Sequence, residues 1–256
     1  MIDIRFKKYK SFHDVEGGEH EGHINATGSI GFVSFDGYRP YWTQVDASRT
    51  GVTSLDGLKE GLEEICLKEM PFLKSAVGLP ASCQTASFDG TPFESLCATG
   101  EKMTEGLQTL SLRACKNLKS LNGMPDSCQK LFLNETNLKG FEGMSQNVEY
   151  VSAKCCPSLE TTKGLSSKCK KLNLDWSGIR RLEDIPETIQ EIRVYGCSLD
   201  TSCFSKIPVL ALPKIVGLTF EQQKVVDTIY SRSRGIPHRS SVDEIATMSG
   251  LVLVRA

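Results

Sequence analysis

The sequence has no long hydrophobic run and no strong excess of either charge. No stretch of its 256 residues approaches the roughly 18 apolar residues that a membrane-spanning helix needs, so we expect no membrane partner. The formal net charge is −1, which excludes a general attraction to nucleic acid or to an anionic bilayer. Charges interrupt the opening segment MIDIRFKKYKSF, which therefore lacks the apolar core of a signal peptide, and we expect a cytoplasmic protein.

Motifs for catalysis and metal binding are missing as well. Ten cysteines occur without one Cys-x-x-Cys pair, whereas zinc sites prefer a spacing of about two to four residues. There is no phosphate-binding loop, and the four histidines lie outside the repeats described below. We therefore expect no enzyme activity, no cofactor and no metal site.

One segment leaves an alternative open. HDVEGGEHEGH places three histidines among three glutamates, which together could hold a metal ion weakly. A solvated, glycine-rich acidic loop is the favoured interpretation. The side chains concerned are His13, Glu16, Glu19, His20, Glu21 and His23.

What the sequence does have is an internal repeat. LQTLSL from Leu107 and CQKLFL from Cys128 share the pattern L-x-x-L-x-L, and the same frame continues in both directions. Eight repeats begin at residues 42, 62, 83, 107, 128, 148, 169 and 189, at intervals of 20, 21, 24, 21, 20, 21 and 20. Short and long repeats alternate, which indicates duplication of a two-repeat unit of about 41 residues. The extra residues of the 24-residue interval follow Leu96.

The spacing of the apolar residues predicts the architecture. The last two apolar positions of each motif lie two residues apart, so they share one face of a short β-strand. A single repeat cannot bury that face, whereas stacked repeats bury a continuous core beneath a parallel sheet. We predict a mostly β solenoid of α/β type, a leucine-rich-repeat horseshoe with a parallel concave sheet. The short return segments should be extended or 3₁₀, because Pro125 and Pro186 disfavour helix before them.

Most of the cysteines recur at fixed repeat positions. Cys83, Cys128 and Cys169 begin their repeats, and Cys115, Cys156 and Cys197 occupy the turn after the strand. This placement predicts small buried hydrophobic residues in a reducing compartment, and not disulfides.

Two segments carry a resemblance to a known family. MPDSCQKLFLNETNLKGFEGM and IPETIQEIRVYGCSLD resemble the short leucine-rich repeats of bacterial effector proteins, and the similarity covers about residues 42–204. The family usually has Asn at the turn position. Here that position holds Thr50, Met70, Thr91, Cys115, Thr136, Cys156, Ser177 and Cys197.

The resemblance implies a function. It implies an effector that a bacterium secretes into the host cytosol, where it binds and regulates, or inhibits, a host protein or a second effector. The alternative is the substrate-recognition part of a larger enzyme, such as an effector ubiquitin ligase. The Cys-x-Asp motif of such ligases is missing here.

The two ends of the chain are predicted to cap the array. Residues 1–41 should form a β cap, with strands at Ile2–Phe6 and Ser29–Phe35. Residues 42–206 form the solenoid, and residues 207–256 a helical C-terminal cap. We predict a helix from Phe220 to about Arg232, with Thr219 and Gln222 as a capping box, Gly235 as its stop and a second short helix after Ser241.

The outward residues of the strands are the candidates for binding. The last four repeats hold most of the bases and all of the aromatic residues, which is the composition of a protein-binding hot spot. A broad sheet face favours a protein over a small ligand or glycan, and acids among the bases argue against nucleic acid. The alternative for Phe132 is packing across the face. We expect a monomer when free, with binding through Arg113, Lys130, Phe132, Tyr150, Lys154, Lys171, Asp175, Trp176, Arg193 and Tyr195.

Overall fold

The chain winds into a single parallel sheet whose strands follow one another in sequence order. The computed structural model describes residues 1–16, 22–97, 100–207 and 213–233. The strands are β1 (Ile2–Asp3), β2 (His23–Asn25), β3 (Gln44–Asp46), β4 (Glu64–Cys66), β5 (Thr85–Ser87), β6 (Thr109–Ser111), β7 (Lys130–Phe132), β8 (Tyr150–Ser152), β9 (Lys171–Asn173), β10 (Glu191–Arg193) and β11 (Lys214–Val216). Two 3₁₀ helices, Phe12–Asp14 and Thr201–Lys206, and one α-helix, α1 (Phe220–Ser233), complete the described elements.

Each predicted repeat contains its strand in the predicted register. Val45 of β3 pairs with Ile65 of β4, which pairs with Ala86 of β5, and the same alignment continues to Ile192 of β10. These middle residues are at most 2% exposed. Their neighbours on either side lie on the opposite face of the sheet, because side chains alternate along a strand. The leucine-rich-repeat solenoid is therefore confirmed, because the apolar spacing and the strand pairing coincide.

The N-terminal end differs from the predicted β cap. The segment Ser29–Phe35 is not a strand, and β1 instead pairs in parallel with β2, which pairs with β3. Phe32 and Phe35 are fully buried while Ile30 and Val33 are exposed, so the segment forms a turn and not a flat alternating strand. The sheet thus extends beyond residues 42–206 at both ends, since β11 also joins it.

An aromatic cluster fills the interior at this end. The ring of Phe12 lies 4.9 Å from that of Phe32 and 4.9 Å from that of Trp42, with Phe35 and Tyr38 close by. Such large rings bury the apolar area that one repeat alone would leave exposed.

A column of hydroxyl and sulfur groups occupies the turn position, which is usually Asn in the repeats that this chain resembles. The hydroxyls of Thr50 and Thr136 donate to the carbonyls of Ala47 and Leu133 within their own turns. The thiol of Cys156 donates to Leu133 O of the preceding repeat at 3.1 Å. Met70 has no proton to donate, but its sulfur lies 3.8 Å from the Thr50 hydroxyl. From Thr50 to Cys197 a hydroxyl and a sulfur alternate at this position from one repeat to the next.

The return segments contain turns and bends. Between residues 42 and 200 the described residues include no 3₁₀ helix, contrary to one of the two forms expected there. Leu96 and Met103 are both buried, and the extra residues of the 24-residue repeat lie between them, as predicted.

The C-terminal helix begins where its capping box predicts. Thr219 Oγ1 accepts the backbone N–H of Gln222, and Gln222 Oε1 accepts that of Thr219 at 2.9 Å. Gln222 also donates to Leu199 O, which joins the helix to the last repeat. The predicted stop at Gly235 and the second helix lie outside the described residues.

Thiol accessibility tests this register directly. All ten cysteines are free, and burial raises the pKa of Cys83, Cys115, Cys128 and Cys169 to about 12. We expect these four thiols to resist alkylation at pH 8 until the protein unfolds, because both access and ionisation are suppressed. The exposed Cys155 should react first and serves as the internal control. Mass spectrometry that found rapid native labelling of the four, or a disulfide among them, would contradict the register.

Candidate protein-binding surface

The solvent-facing side of the sheet carries three side chains from each repeat. They are the first and last residues of the strand and the residue two positions beyond it, and we call this surface the open face. The paired registers place each of these rows across consecutive strands, as predicted. On β6–β9 the open face consists of Thr109, Ser111, Arg113, Lys130, Phe132, Asn134, Tyr150, Ser152, Lys154, Lys171, Asn173 and Asp175.

Alternate repeats supply an acceptor that fixes the chain of the next repeat. Asp89 Oδ1 accepts the backbone N–H of Arg113 at 2.9 Å, and Asn134 Oδ1 accepts that of Lys154 at 3.1 Å. Asp175 Oδ1 accepts the backbone N–H of Tyr195 at 3.0 Å. The acceptors are thereby held against the sheet. The row of acceptors was not singled out in the sequence, although it follows the same two-repeat period.

Four bases on β6–β9 have no carboxylate partner. Among the described residues, no ion pair within 4.0 Å involves the side chains of Arg113, Lys130, Lys154 or Lys171. Asp175 is the single acid on the open face of these four strands, so the local balance is four bases minus one acid, or +3. An unpaired cationic surface of this kind favours an anionic partner.

Two aromatic residues lie in the middle of these bases. The rings of Phe132 and Tyr150 are 5.5 Å apart, and the guanidinium carbon of Arg113 lies 4.8 Å above the ring of Phe132. Both rings are half-buried. Phe132 therefore packs across the face, as the alternative interpretation held, and it still presents part of its ring to solvent. The contacts hold the two rings in place, which lowers the entropy cost of using them to bind.

Arg193, the one base on the open face of β10, has a different environment. Arg193 donates from Nε and Nη2 to Asp175 Oδ2 at 3.2 and 3.1 Å, and its guanidinium carbon lies 5.3 Å from the ring of Tyr195. Asp175 is 5% exposed. Arg193 and Asp175, two of the predicted binding residues, therefore contact each other within the chain. Tyr195 is 44% exposed and is more accessible to a partner.

Trp176 lies at the edge of the open face and points to solvent. Its ring is 68% exposed, and its backbone adopts a φ of +62°. A Cβ on Gly196 would come within 2.2 Å of the indole, so glycine there allows the ring to lie against the next turn. Trp176 lies in the turn that follows β9, the strand that carries Lys171.

Other kinds of site are not formed by the described residues. In the ranges given above, no three His, Cys, Asp or Glu side chains are grouped closely enough to hold a metal ion. Glu19, His20 and Glu21 of the alternative metal segment lie outside those ranges. None of the described helices is long and apolar enough to cross a bilayer.

Comparison with known proteins finds a likeness in structure. No family model matches the chain, and no curated protein is similar to it in sequence. The solved structure of YopM from Yersinia enterocolitica WA-314 is similar, with a TM-score of 0.46 and 14% sequence identity over 77% of this chain. The match covers 50% of that chain, so the present chain spans about half of its length.

Substitutions at Asp175 test the acceptor row. Asp175→Ala removes the acceptor of the Tyr195 N–H and the partner of Arg193, and we expect the free energy of unfolding to fall by about 1.5–3 kcal/mol. Asp175→Asn keeps an acceptor oxygen and should cost about 1 kcal/mol or less, because water screens the 39% exposed Arg193 side chain. Chemical denaturation measures both, and equal losses would refute the role of the acceptor.

Proposed function

We propose that this chain is a protein-binding module that holds its partner on the open face of β6–β10. The observation that carries the proposal is the cluster on β6–β9, where four unpaired bases surround two rings already held in place. Aromatic residues beside Arg dominate the energy of protein interfaces, and unpaired charges speed and orient association. The partner should present carboxylates around an apolar patch.

The size of the surface supports a protein as the partner. Eleven strands at about 4.8 Å spacing give a sheet far longer than a small ligand needs. Small ligands prefer pockets that enclose them, whereas a broad face suits an interface of standard size. We propose no catalytic role, and the binding itself regulates or inhibits the partner.

The repeats also support a proposal about the origin of the chain. Their resemblance to those of bacterial effectors supports a secreted protein that acts in a host cytosol on a host protein or a second effector. The second candidate is the recognition part of a larger enzyme. The length of the full gene product discriminates the two, since only the second requires a catalytic domain in the same chain.

The partner can be identified by comparing variants. Phe132→Ala/Tyr150→Ala should lose a protein that co-purifies with the wild type, and Thr109→Ala, on the same face, should retain it. A protein recovered equally with all three would contradict the proposal.

Kinetics with the purified partner then separate charge from packing. Lys154→Glu should slow association and weaken its salt dependence, because unpaired charges steer the encounter. Phe132→Ala should mainly speed dissociation, at a cost of about 2 kcal/mol in affinity, against less than about 1 for Thr109→Ala. Surface plasmon resonance between about 50 and 300 mM salt measures both effects. If affinity for plain duplex or single-stranded nucleic acid falls by orders of magnitude over that range, the chain is a nucleic-acid-binding protein.

A further inference from the structure

The four unpaired bases lie in two rows. Lys130 and Lys171 occupy the first open-face position, at the start of β7 and β9. Arg113 and Lys154 occupy the last open-face position, two residues beyond the end of β6 and β8. The first and last positions are four residues apart along the chain, or about 13 Å of extended backbone. The positions of the bases along the chain therefore flank a central lane that contains Ser111, Phe132 and Ser152. The guanidinium of Arg113 reaches into this lane over the ring of Phe132.

The rows also have a regular spacing along the solenoid. Bases within one row are two strands apart, which is about 10 Å at the usual strand separation. The two rows are offset by one strand, or about 5 Å. This pattern follows from the two-repeat unit, since each type of repeat contributes its base at a different position.

We propose that the lane between these rows binds an acidic amphipathic α-helix of the partner, lying across the strands. An α-helix is about 10–12 Å wide with its side chains, so it fits between rows about 13 Å apart. Seven helical residues rise about 10.5 Å, which matches the spacing within a row, and half a heptad matches the offset between rows. Its apolar stripe would contact Phe132 and Tyr150, and carboxylates on both flanks would meet the bases. This inference rests on the proposed function and specifies the partner.

An extended segment fits the same bases less well. In a β-strand, side chains on one side recur about every 6.6 Å, so acids would fall out of step with bases about 10 Å apart. A polyproline helix repeats about every 9.3 Å and matches the spacing within a row. It lacks the width of an α-helix, and a proline-containing peptide that keeps the charges without the helix is therefore part of the test.

Three peptides of 21 residues probe the lane. The first has Leu at heptad positions a and d and Glu at e and g, where like charges also discourage self-association. The second has the same composition with the Glu residues moved to b and f. The third repeats the first with two central residues replaced by Pro, which breaks the helix and keeps the flanking charges. Fluorescence anisotropy of labelled peptides measures their binding to the full chain.

The expected result is binding of the first peptide and at least a ten-fold loss for the other two. Arg113→Glu/Lys154→Glu and Lys130→Glu/Lys171→Glu should each weaken binding of the first peptide at least ten-fold, because both flanks are used. Lys116→Glu, which changes an exposed base beyond the buried Cys115 turn, is the matched control and should change binding less than two-fold. Circular dichroism of the variants checks that they remain folded.

Several outcomes would overturn the helical partner. These are equal binding of the shifted or proline peptide, sensitivity to one row alone, and no binding of the first peptide. If the first peptide does not bind while recovery of the natural partner still depends on Phe132 and Tyr150, the helix is refuted and the proposed function stands. If that recovery is independent of both rings, the proposed function fails as well.

Discussion

The in-register stacking of parallel strands is the constraint on which the rest of the structure depends. Every repeat must place its strand in the same register, because the middle residue of each strand packs in the core beside its counterpart in the next repeat. A whole repeat of about 20 residues leaves little room for a helix on its return segment, so turns close each repeat. Buried donors such as the Cys156 thiol bond the carbonyls of these turns. The core and the open face are therefore fixed by one alignment.

The two-repeat period transmits this constraint to the surface. One type of repeat ends its open face with an acceptor such as Asn134, which must bind the backbone of the next repeat. The other type is free to place a base there, as at Arg113 and Lys154. Acids that would neutralise these bases are absent or, like Asp175, already engaged. A requirement of stacking thus leaves a regular pattern of unpaired charge.

The sequence predicted the solenoid and the face of each strand residue because both follow from apolar spacing alone. It missed β2, where Ile24 and Ala26 face inward directly after the segment HDVEGGEHEGH, which was interpreted as a loop. It also did not predict the ion pair between Arg193 and Asp175. Spacing tells which face a long side chain occupies, but the neighbour it selects depends on distances across strands, and Arg193 selects Asp175.

Site-specific crosslinking tests most directly whether the open face holds the partner. p-Azidophenylalanine in place of Tyr150 keeps an aromatic ring on the open face, in the row between Lys130 and Lys171. The same replacement of Phe72 puts the probe at a 53% exposed position off the open face. The account predicts that irradiation in the presence of the partner gives a single adduct from position 150 and none from position 72. An adduct from position 72 alone, or equal adducts from both, would contradict it.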